Sequence, residues 1–531
     1  MATSEWNMKT FMKGASILTI SALIVKLLGA VYRVPFQNLV GDKGFYIYQQ
    51  VYPFIGIFII WTTYGAAVAI SKLLASSQLP DERRAILKLS FLYLGVLSIV
   101  AFAALFSGAT LIASLMGDPE LAPLLRTGAY VLLVMPFLAV FKGTFQSRGE
   151  MVPIAVSGVG EQGIRVAIIL IGTWAAVQSG ASLYETGTIA VWGAVIGQTA
   201  GVILLALWSR KSLNASVIGL SIDKRKVIKE LTLVSLSVSA SSLILLLYQM
   251  ADAFTILNLL TGSGIPEEFA MTGKGIYDRG QPLVQLGSLI ATTLAMAIVP
   301  LISHHTTTSG GQSAWPFVRL TYRVAILFGW AAAVGLAALL PQVNVLLFET
   351  NEGSFALAVF CVQIFWLSLV LPLCAILQGA GSGKIPALLL LIGLAVKIIA
   401  NLLLVPIYGI TGAAFAGNMG FAVTAAGLLI YFKKMWPERL APGRFYGWIL
   451  FATVAMVGVV ELWLWISNTF IQGESSRSVA ALTAFPAVML GASVFLIIVM
   501  KSRILAEKDW YMLPFGKRLA GVQLVLTKKR R

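Results

Sequence analysis

The 531-residue chain is 58% hydrophobic and only 11% charged, whereas an average soluble domain is about 45–50% apolar and about 25% charged. A mean hydropathy of +0.86 exceeds what a soluble core can hide, because much of a globular surface must face water. The composition excludes an ordinary soluble enzyme and predicts an integral membrane protein. The two histidines and two cysteines, His304, His305, Cys361 and Cys374, are too few for a histidine-based metal site, a Ser-His-Asp triad or a disulfide scaffold.

The chain contains fourteen apolar runs long enough to cross a bilayer, which takes about 20 residues. The runs are 15–39, 51–75, 89–115, 122–145, 152–176, 187–208, 230–260, 282–304, 318–341, 354–378, 385–406, 408–432, 445–467 and 478–500. The first follows a short polar leader (1–14) without a small-residue cleavage site, so we interpret it as predicted helix 1 rather than as a removable signal peptide. The expected fold is all-α, with about 14 transmembrane helices.

The distribution of the 39 Lys and Arg residues predicts the orientation in the membrane. With the amino terminus inside, the inner segments contain 29 of them, the outer loops contain four, and six lie within predicted helices. The four outer cations are Lys43, Lys274, Arg279 and Arg477. Because short cytoplasmic loops are enriched in Lys and Arg, both termini are expected in the cytoplasm.

The net charge of +17 is therefore interpreted as an orientation signal rather than as a nucleic-acid-binding surface. The basic tail includes Trp510, Tyr511 and the closing residues Lys528 to Arg531. We expect this tail to lie along the anionic lipids of the inner leaflet.

The two halves of the chain contain similar motifs. Met135 to Gly143 aligns with Leu371 to Gly379 at an offset of 236 residues, with proline, alanine and glycine in register. Thr62-Thr63 aligns with Thr292-Thr293 at an offset of 230 residues. Pro53 precedes the first pair in its predicted helix, and Pro282 precedes the second. The similar offsets and common order indicate that predicted helices 1–6 and 7–12 are parallel repeats, with chance similarity of apolar segments as the alternative.

These patterns divide the chain into five parts. The parts are an N-terminal lobe (1–210), a cytoplasmic basic linker (211–229), a C-terminal lobe (230–435), two additional helices (436–501) and a basic cytoplasmic tail (502–531).

Four cations lie deep within predicted helices, where a charge at mid-membrane costs on the order of 2.5–3.5 kcal/mol and therefore generally faces a cavity or a partner. They are Lys26 and Arg33, which share one face of predicted helix 1, Arg165 in predicted helix 5, and Lys397 in predicted helix 11. Only Glu161 and Asp252 oppose them at this depth. The surplus of two positive charges predicts an anionic ligand.

Each of these residues also has a structural interpretation. Glu161 and Arg165 are four residues apart and could form an ion pair along one helix, and Lys397 could join neighbouring helices together with Asn401. Asp252 could pair with one of the cations or could carry a coupling ion. The chain has no G-x-x-x-x-G-K-[ST] loop, so ATP hydrolysis is not expected.

Motifs along essentially the whole chain match one known superfamily. They are Lys26 to Phe36 followed by Leu39 to Gln50, Phe145 to Arg148 with Glu161-Gln162 and Arg165, Arg279 to Gln285, and Gly412 to Asn418. These motifs resemble the polysaccharide-exporter branch of the multidrug/oligosaccharidyl-lipid/polysaccharide flippase superfamily, in particular the stage V sporulation protein B and MurJ-type lipid II flippase families.

The resemblance implies a fourteen-helix transporter in which two six-helix lobes enclose a central cavity. Such proteins move undecaprenyl-linked saccharides to the outer face by alternating access, with cavity cations holding the pyrophosphate. MurJ-type sequences typically carry two arginines on helix 1, whereas this chain has Lys26 and places its second cation, Arg33, one residue later. Because lysine offers only a point charge, Arg33 is the better candidate ligand. Arg279 resembles the helix 8 arginine of that family, although the predicted boundaries place it at the outer rim.

The sequence thus predicts a bacterial plasma-membrane flippase for lipid II or a polysaccharide precursor, without covalent chemistry, cofactor or metal. The predicted anion site consists of Lys26, Arg33, Arg165, Lys397 and Arg279, and proton or sodium coupling is predicted at Asp252 and Glu161. One alternative is a cation-coupled multidrug antiporter of the same superfamily, which would favour a surplus of acid in the cavity. The other is a membrane glycosyltransferase or ligase, which would require large outer loops carrying catalytic carboxylates.

Overall fold

The computed structural model describes residues 17–18, 20–77, 79–209, 223–289, 315–379, 382–436, 438–470, 476–510 and 516–527. Within these ranges the chain is almost entirely helical and contains no strand. Eleven helical runs in this part of the chain are long and apolar enough to cross a membrane. The predicted all-α, multi-pass membrane fold is confirmed.

Several predictions fall outside the described residues. They concern the leader (1–14), positions 211–222 of the linker, positions 290–304 of predicted helix 8 with Thr292 and Thr293, both histidines, Tyr511, and Lys528 to Arg531.

The chain divides into two compact units by its internal packing. Unit 1 extends to Asp278 and also takes in Asn401–Gly409, and unit 2 comprises Arg279–Ala400 and the chain from Ile410 onward.

The described helices of unit 1 begin with two that are separated by a single glycine. They are α1 (20–40), α2 (42–76), α3 (Pro80–Leu115), α4 (Ala122–Ser147), α5 (Met151–Gln178), α6 (Leu183–Ser209), α7 (Lys224–Gly262) and α8 (Glu267–Asp278). Gly41 has φ 70° and ψ −175°, a conformation that glycine adopts without strain. The loop predicted at 40–50 is wrong, because the chain is helical again directly after Gly41.

The middle of α2 contains a π-helical turn, Trp61–Ala66, a feature often found at functional sites. Helix α4 packs closely beside it. A Cβ added at Gly143 would lie 2.8 Å from the side chain of Ile70 and 2.9 Å from the carbonyl oxygen of Ala67. The glycine of the repeated sequence motif therefore permits a close approach of α4 to α2.

Helix α6 approaches α5 along three glycines spaced four residues apart, an arrangement that allows close packing of membrane helices. Cβ atoms at Gly193 and Gly197 would lie within 3.0 Å of α5 backbone atoms, and one at Gly201 would overlap the carboxylate of Glu161. This contact fixes the face of α5 that carries Glu161 and Arg165.

A buried carboxylate joins α2 and α6 at the end of the helices near the α3–α4 connection. Asp118 accepts hydrogen bonds from the hydroxyls of Tyr46 (3.1 Å) and Tyr184 (2.9 Å) and from the backbone N–H of Glu120. Burial raises the pKa of the Asp118 carboxyl above its usual value, although these hydrogen bonds oppose the shift.

Unit 2 contains the remaining described helices. They are α9 (Gly280–Gly287), α10 (Trp315–Ala338), α11 (Leu340–Phe348), α12 (Ser354–Cys361), α13 (Gln363–Gly379), α14 (384–408), α15 (410–435), α16 (Gly443–Phe470), α17 (Arg477–Ser502), α18 (Glu507–Trp510) and α19 (Gly516–Thr527), the last residues of α14 belonging to unit 1. Gly409, with φ 58°, divides the run Lys384–Met435 into α14 and α15. Gly41 and Gly409 each divide one of the eleven long helical runs into two helices, and α9 contains the start of predicted helix 8. The described helices are therefore compatible with fourteen spans.

The described part of the tail packs onto unit 2 rather than extending away from it. The Trp510 side chain is fully buried in an apolar cluster that includes Phe445, Met500, Leu505 and Ala520. Trp510 itself thus packs inside unit 2, and the prediction that the basic tail lies along the inner leaflet stays a prediction.

Candidate functional site

Two arginines of unit 1 lie against one tyrosine ring. The guanidinium carbon of Arg33 lies 4.7 Å from the ring centroid of Tyr52, and that of Arg165 lies 5.3 Å from the same centroid. Arg165 Nη2 also donates a hydrogen bond of 3.0 Å to the hydroxyl of Tyr48, whose oxygen lies 2.9 Å from the hydroxyl of Tyr32. We call these five residues the arginine–tyrosine cluster.

The break at Gly41 explains how the cluster forms. Tyr32 and Arg33 lie on the buried part of α1, whereas Tyr48 and Tyr52 are four residues apart on α2 and so share one face. Helix α2 lies against α1 through these aromatic side chains, since the ring centroids of Phe36 and Tyr48 are 5.0 Å apart.

Both arginines of the cluster have unused hydrogen-bonding capacity, and Arg33 has more of it than Arg165, whose Nε also lacks a partner among the described residues. The side chain of Arg33 is fully buried. The Tyr32 hydroxyl lies beside it, but none of its three guanidinium nitrogens forms a hydrogen bond of good geometry with a described residue. A cation–π contact contributes about 2 kcal/mol when the cation is desolvated. Removing a cation from water costs several kcal/mol. An anion with two or more oxygens would satisfy the guanidinium fork and offset that cost.

Glu161 does not neutralise this cluster. Its carboxylate forms an ion pair of 2.8 Å with Lys142 on α4, and Gln198 Nε2 on α6 donates a hydrogen bond of 3.1 Å to it. Both charged side chains are more than 90% buried. The alternative in which Glu161 pairs with Arg165 is thus not what the structure shows, because the carboxylate pairs with Lys142 instead. Lys142 stands near the end of the predicted run 122–145, and the sequence did not indicate this contact.

A second buried ion pair lies on α8, a segment that was predicted to be an outer loop. Lys274 Nζ donates to both carboxylate oxygens of Asp278, at 2.6 and 2.7 Å. Burial raises the pKa of the Asp278 carboxyl, and the charges of Lys274 and, more weakly, Arg33 oppose the shift. The hydrophobic periodicity of α8 is strong, with Ala270, Met271 and Tyr277 buried, and could have indicated a helix.

Asp252 on α7 lies in a buried group of oxygen atoms. It accepts hydrogen bonds from the hydroxyl of Tyr277 (2.9 Å) and from Nδ2 of Asn401 (3.1 Å), and that same nitrogen donates to Thr255 Oγ1 at 2.9 Å. Oδ1 of Asn401 has no hydrogen-bond partner among the described residues. The Asp252 carboxylate together with the hydroxyl oxygens of Thr255 and Tyr277 suits a proton or a small hard cation. Groups of three or more His, Cys, Asp or Glu side chains do not occur in the described ranges.

The remaining predicted site residues lie elsewhere. Lys26 is half-buried on α1, whereas Lys397 and Arg279 belong to unit 2 and are buried. Arg279 Nη1 donates to Asn344 Oδ1 at 3.2 Å, and its guanidinium carbon lies 5.2 Å from the centroid of Phe348. The structure brings together Arg33 and Arg165. The binding roles of all five residues stay predictions.

The helical spans and the buried charged groups of unit 1 define a polytopic α-helical membrane protein with polar clusters inside its helix packing. Residues 11–305 match the family model of the polysaccharide biosynthesis proteins. The chain belongs to this family, and with it to the multidrug/oligosaccharidyl-lipid/polysaccharide flippase superfamily, as the sequence motifs predicted.

Three relatives from Bacillus subtilis (strain 168) extend over nearly the whole chain. The uncharacterized membrane protein YabM is 39% identical over 520 residues, covering 96% of each chain. The lipid II flippase MurJ is 24% identical and covers 91% of this chain and 94% of its own, and stage V sporulation protein B is 25% identical and covers 96% and 99%.

Solved structures share the fold at lower identity. A structure of the lipid II flippase MurJ in an inward closed conformation has a TM-score of 0.69 at 14% identity, covering 91% of this chain and 97% of that one. An inward-facing multidrug resistance MATE transporter has a TM-score of 0.63 at 15% identity, covering 77% and 94%.

Proposed function

We propose that the chain is a flippase that moves an undecaprenyl-linked saccharide, such as lipid II or a polysaccharide precursor, from the inner to the outer leaflet by alternating access. The reaction is transport without covalent chemistry. The observation that carries this proposal is Arg33, a fully buried guanidinium with no hydrogen-bond partner among the described residues, beside Arg165.

The chemistry of a pyrophosphate group fits these two arginines. It offers several anionic oxygens, each able to accept charge-assisted hydrogen bonds from a guanidinium fork. Within the described residues of unit 1, two buried lysines are balanced by local ion pairs, Lys142 with Glu161 and Lys274 with Asp278. Arg33 and Arg165 are buried as well, but no carboxylate forms an ion pair with either of them among the described residues. The family membership and the name of the MurJ relative support a lipid-linked saccharide as their ligand.

A cation-coupled drug antiporter of the same superfamily is the alternative supported by the shared MATE fold. A site for cationic drugs would be expected to present carboxylates. The arginine–tyrosine cluster instead presents two guanidinium groups, so we favour the anionic lipid.

The proposal is tested by transport of a defined lipid. Purified full-length protein is reconstituted into vesicles with fluorescent lipid II or a fluorescent undecaprenyl-pyrophosphate sugar, and the fraction exposed at each leaflet is measured with a membrane-impermeant quencher. We expect protein-dependent movement of at least one of these lipids and rescue of cells depleted of their lipid II flippase if lipid II is the substrate. Drug extrusion without movement of either lipid would instead establish the antiporter.

We also propose that both termini lie in the cytoplasm, as the distribution of Lys and Arg indicates. Arg225 at the start of α7 and Glu352 between α11 and α12 are exposed, and both native cysteines are buried. In intact cells, a cysteine at position 352 is expected to react with a membrane-impermeant thiol reagent, whereas one at position 225 is expected to react only after permeabilisation. Labelling of Arg225→Cys from outside would reverse the orientation, and the parent chain with Cys361 and Cys374 serves as the control.

A further inference from the structure

The ion pair between Lys142 and Glu161 lies one helical turn from the arginine–tyrosine cluster. Glu161 and Arg165 are four residues apart on α5, a spacing at which opposite charges attract each other along a helix. Nevertheless, Arg165 donates to Tyr48 and lies against Tyr52, whereas the Glu161 carboxylate is held by Lys142 at 2.8 Å.

The surroundings of Glu161 keep its carboxylate on the side of Lys142. Gln198 donates a hydrogen bond of 3.1 Å to one carboxylate oxygen, and Lys142 Nζ donates a longer one of 3.4 Å to Thr63 Oγ1 in the π-helical turn. Gly201 leaves room for the carboxylate, because a Cβ there would overlap it. Three helices thus hold this charge away from Arg165.

We propose that Lys142 is a positioning residue: by neutralising Glu161, it keeps the charge and the N–H groups of Arg165 available to the anionic headgroup of the transported lipid. This inference rests on the proposed function. Without Lys142, a buried carboxylate four residues from Arg165 would take that arginine as its partner, because an unpaired buried charge is strongly unfavourable. The ligand would then meet one available guanidinium instead of two.

The second repeat indicates that the pair is not a general requirement for packing these helices. At the offset of 236 residues, Gln378 corresponds to Lys142 and Lys397 corresponds to Glu161. Neither partner of the ion pair is retained, although the proline, alanine and glycine of the adjoining motif are. The pair is therefore a feature of the first repeat, where the arginine–tyrosine cluster lies.

The test is a double-mutant cycle read out by binding of undecaprenyl pyrophosphate to the purified full-length protein. We expect Lys142→Met and Arg165→Gln each to weaken binding about 10- to 100-fold, the range of one charge-assisted hydrogen bond. Lys142→Met is expected to cause no further loss when Arg165 is already Gln. Adding Glu161→Gln to Lys142→Met is expected to restore affinity to within about threefold of the parent, and Lys142→Arg is expected to bind like the parent.

Two sets of results separate the inference from the proposed function. The first set applies when Arg165→Gln loses affinity, so that the proposed function stands. In that case the positioning role is overturned if Lys142→Met binds like the parent, if its loss adds to that of Arg165→Gln, or if adding Glu161→Gln restores no affinity. Parental affinity in both Arg33→Gln and Arg165→Gln would overturn the proposed function and this inference together. If Lys142→Met fails to accumulate, the test uses the double variant Lys142→Met/Glu161→Gln, in which neither side chain is charged. Because Lys142 is proposed to act only through Glu161, weak binding by this folded variant would contradict the positioning role.

Discussion

Replacing Arg33 by glutamine is expected to reduce outward transport of the lipid-linked saccharide at least tenfold while leaving the protein in the membrane at near-parental abundance. A hydrogen bond from a charged donor contributes about 1.5–3 kcal/mol, and none of the Arg33 nitrogens has a hydrogen-bond partner among the described residues. Removing the guanidinium therefore removes ligand contacts and relieves a buried charge. Transport in vesicles, divided by the amount of inserted protein, measures the effect.

The matched control is Lys72→Gln, because Lys72 is a cation of the same helical run with a side chain that is 63% exposed. It is expected to transport like the parent. Arg33→Lys is expected to retain part of the activity, since lysine supplies the charge without the fork, and Lys26→Ala is expected to lower transport because Lys26 shares the helix face. Loss of both the Arg33 and Lys26 variants from the membrane would instead indicate a structural role for these cations.

The predicted spans follow from apolar run length alone, and most of them coincide with described helices. The junctions between them were harder to predict. Gly41 and Gly409 each interrupt a long helical run with a positive φ, but the sequence gives no sign that distinguishes these glycines from the many others in apolar helices. The segment from Asp42 to Gln50 falls between two apolar runs and so suggested a loop. In the structure it is the start of α2, where Tyr46 donates to Asp118 and Gln50 Nε2 donates to the carbonyl oxygen of Ala253.

The candidate site was predicted in part. Arg33 and Arg165 were recognised because charges within apolar runs are costly, and their shared contact with Tyr52 required the fold. Lys142 was missed because it stands near the predicted end of its helix, where a lysine usually reaches the interface. The sequence signal that could have found the aromatic side of the cluster is the i, i+4 spacing of Tyr48 and Tyr52, which places two hydroxyls on one helix face.

Collapsing the membrane potential is expected to stop net export of the lipid. A headgroup with two negative charges gains about 2.3 kcal/mol per charge per 100 mV on moving to the positive outer side. At a potential of about 100 mV, both charges together therefore favour the outer leaflet by roughly 2000-fold if they cross the full field. The chain itself has no phosphate-binding loop of the G-x-x-x-x-G-K-[ST] type. The driving force is identified by measuring lipid export in the presence of ionophores that separately dissipate the potential, the proton gradient and the sodium gradient.

Asp252→Asn is expected to change the dependence of transport on protons or sodium without removing binding of the substrate, because Asp252 belongs to the oxygen group of α7 rather than to the arginine–tyrosine cluster. The substitution removes the charge and largely conserves the shape. Rotation of the Asn401 amide would let its Oδ1, which has no hydrogen-bond partner among the described residues, accept from the new amide, and Tyr277 can still donate to the remaining oxygen.

Thr255→Val is the matched variant that keeps the carboxylate and removes one oxygen that could bind a cation. It is expected to weaken a dependence on sodium but to leave a dependence on protons intact. If export proceeds undiminished with all three gradients collapsed, both the coupling role of Asp252 and the potential as driving force must be abandoned, and downstream consumption of the lipid would then have to draw it across the membrane.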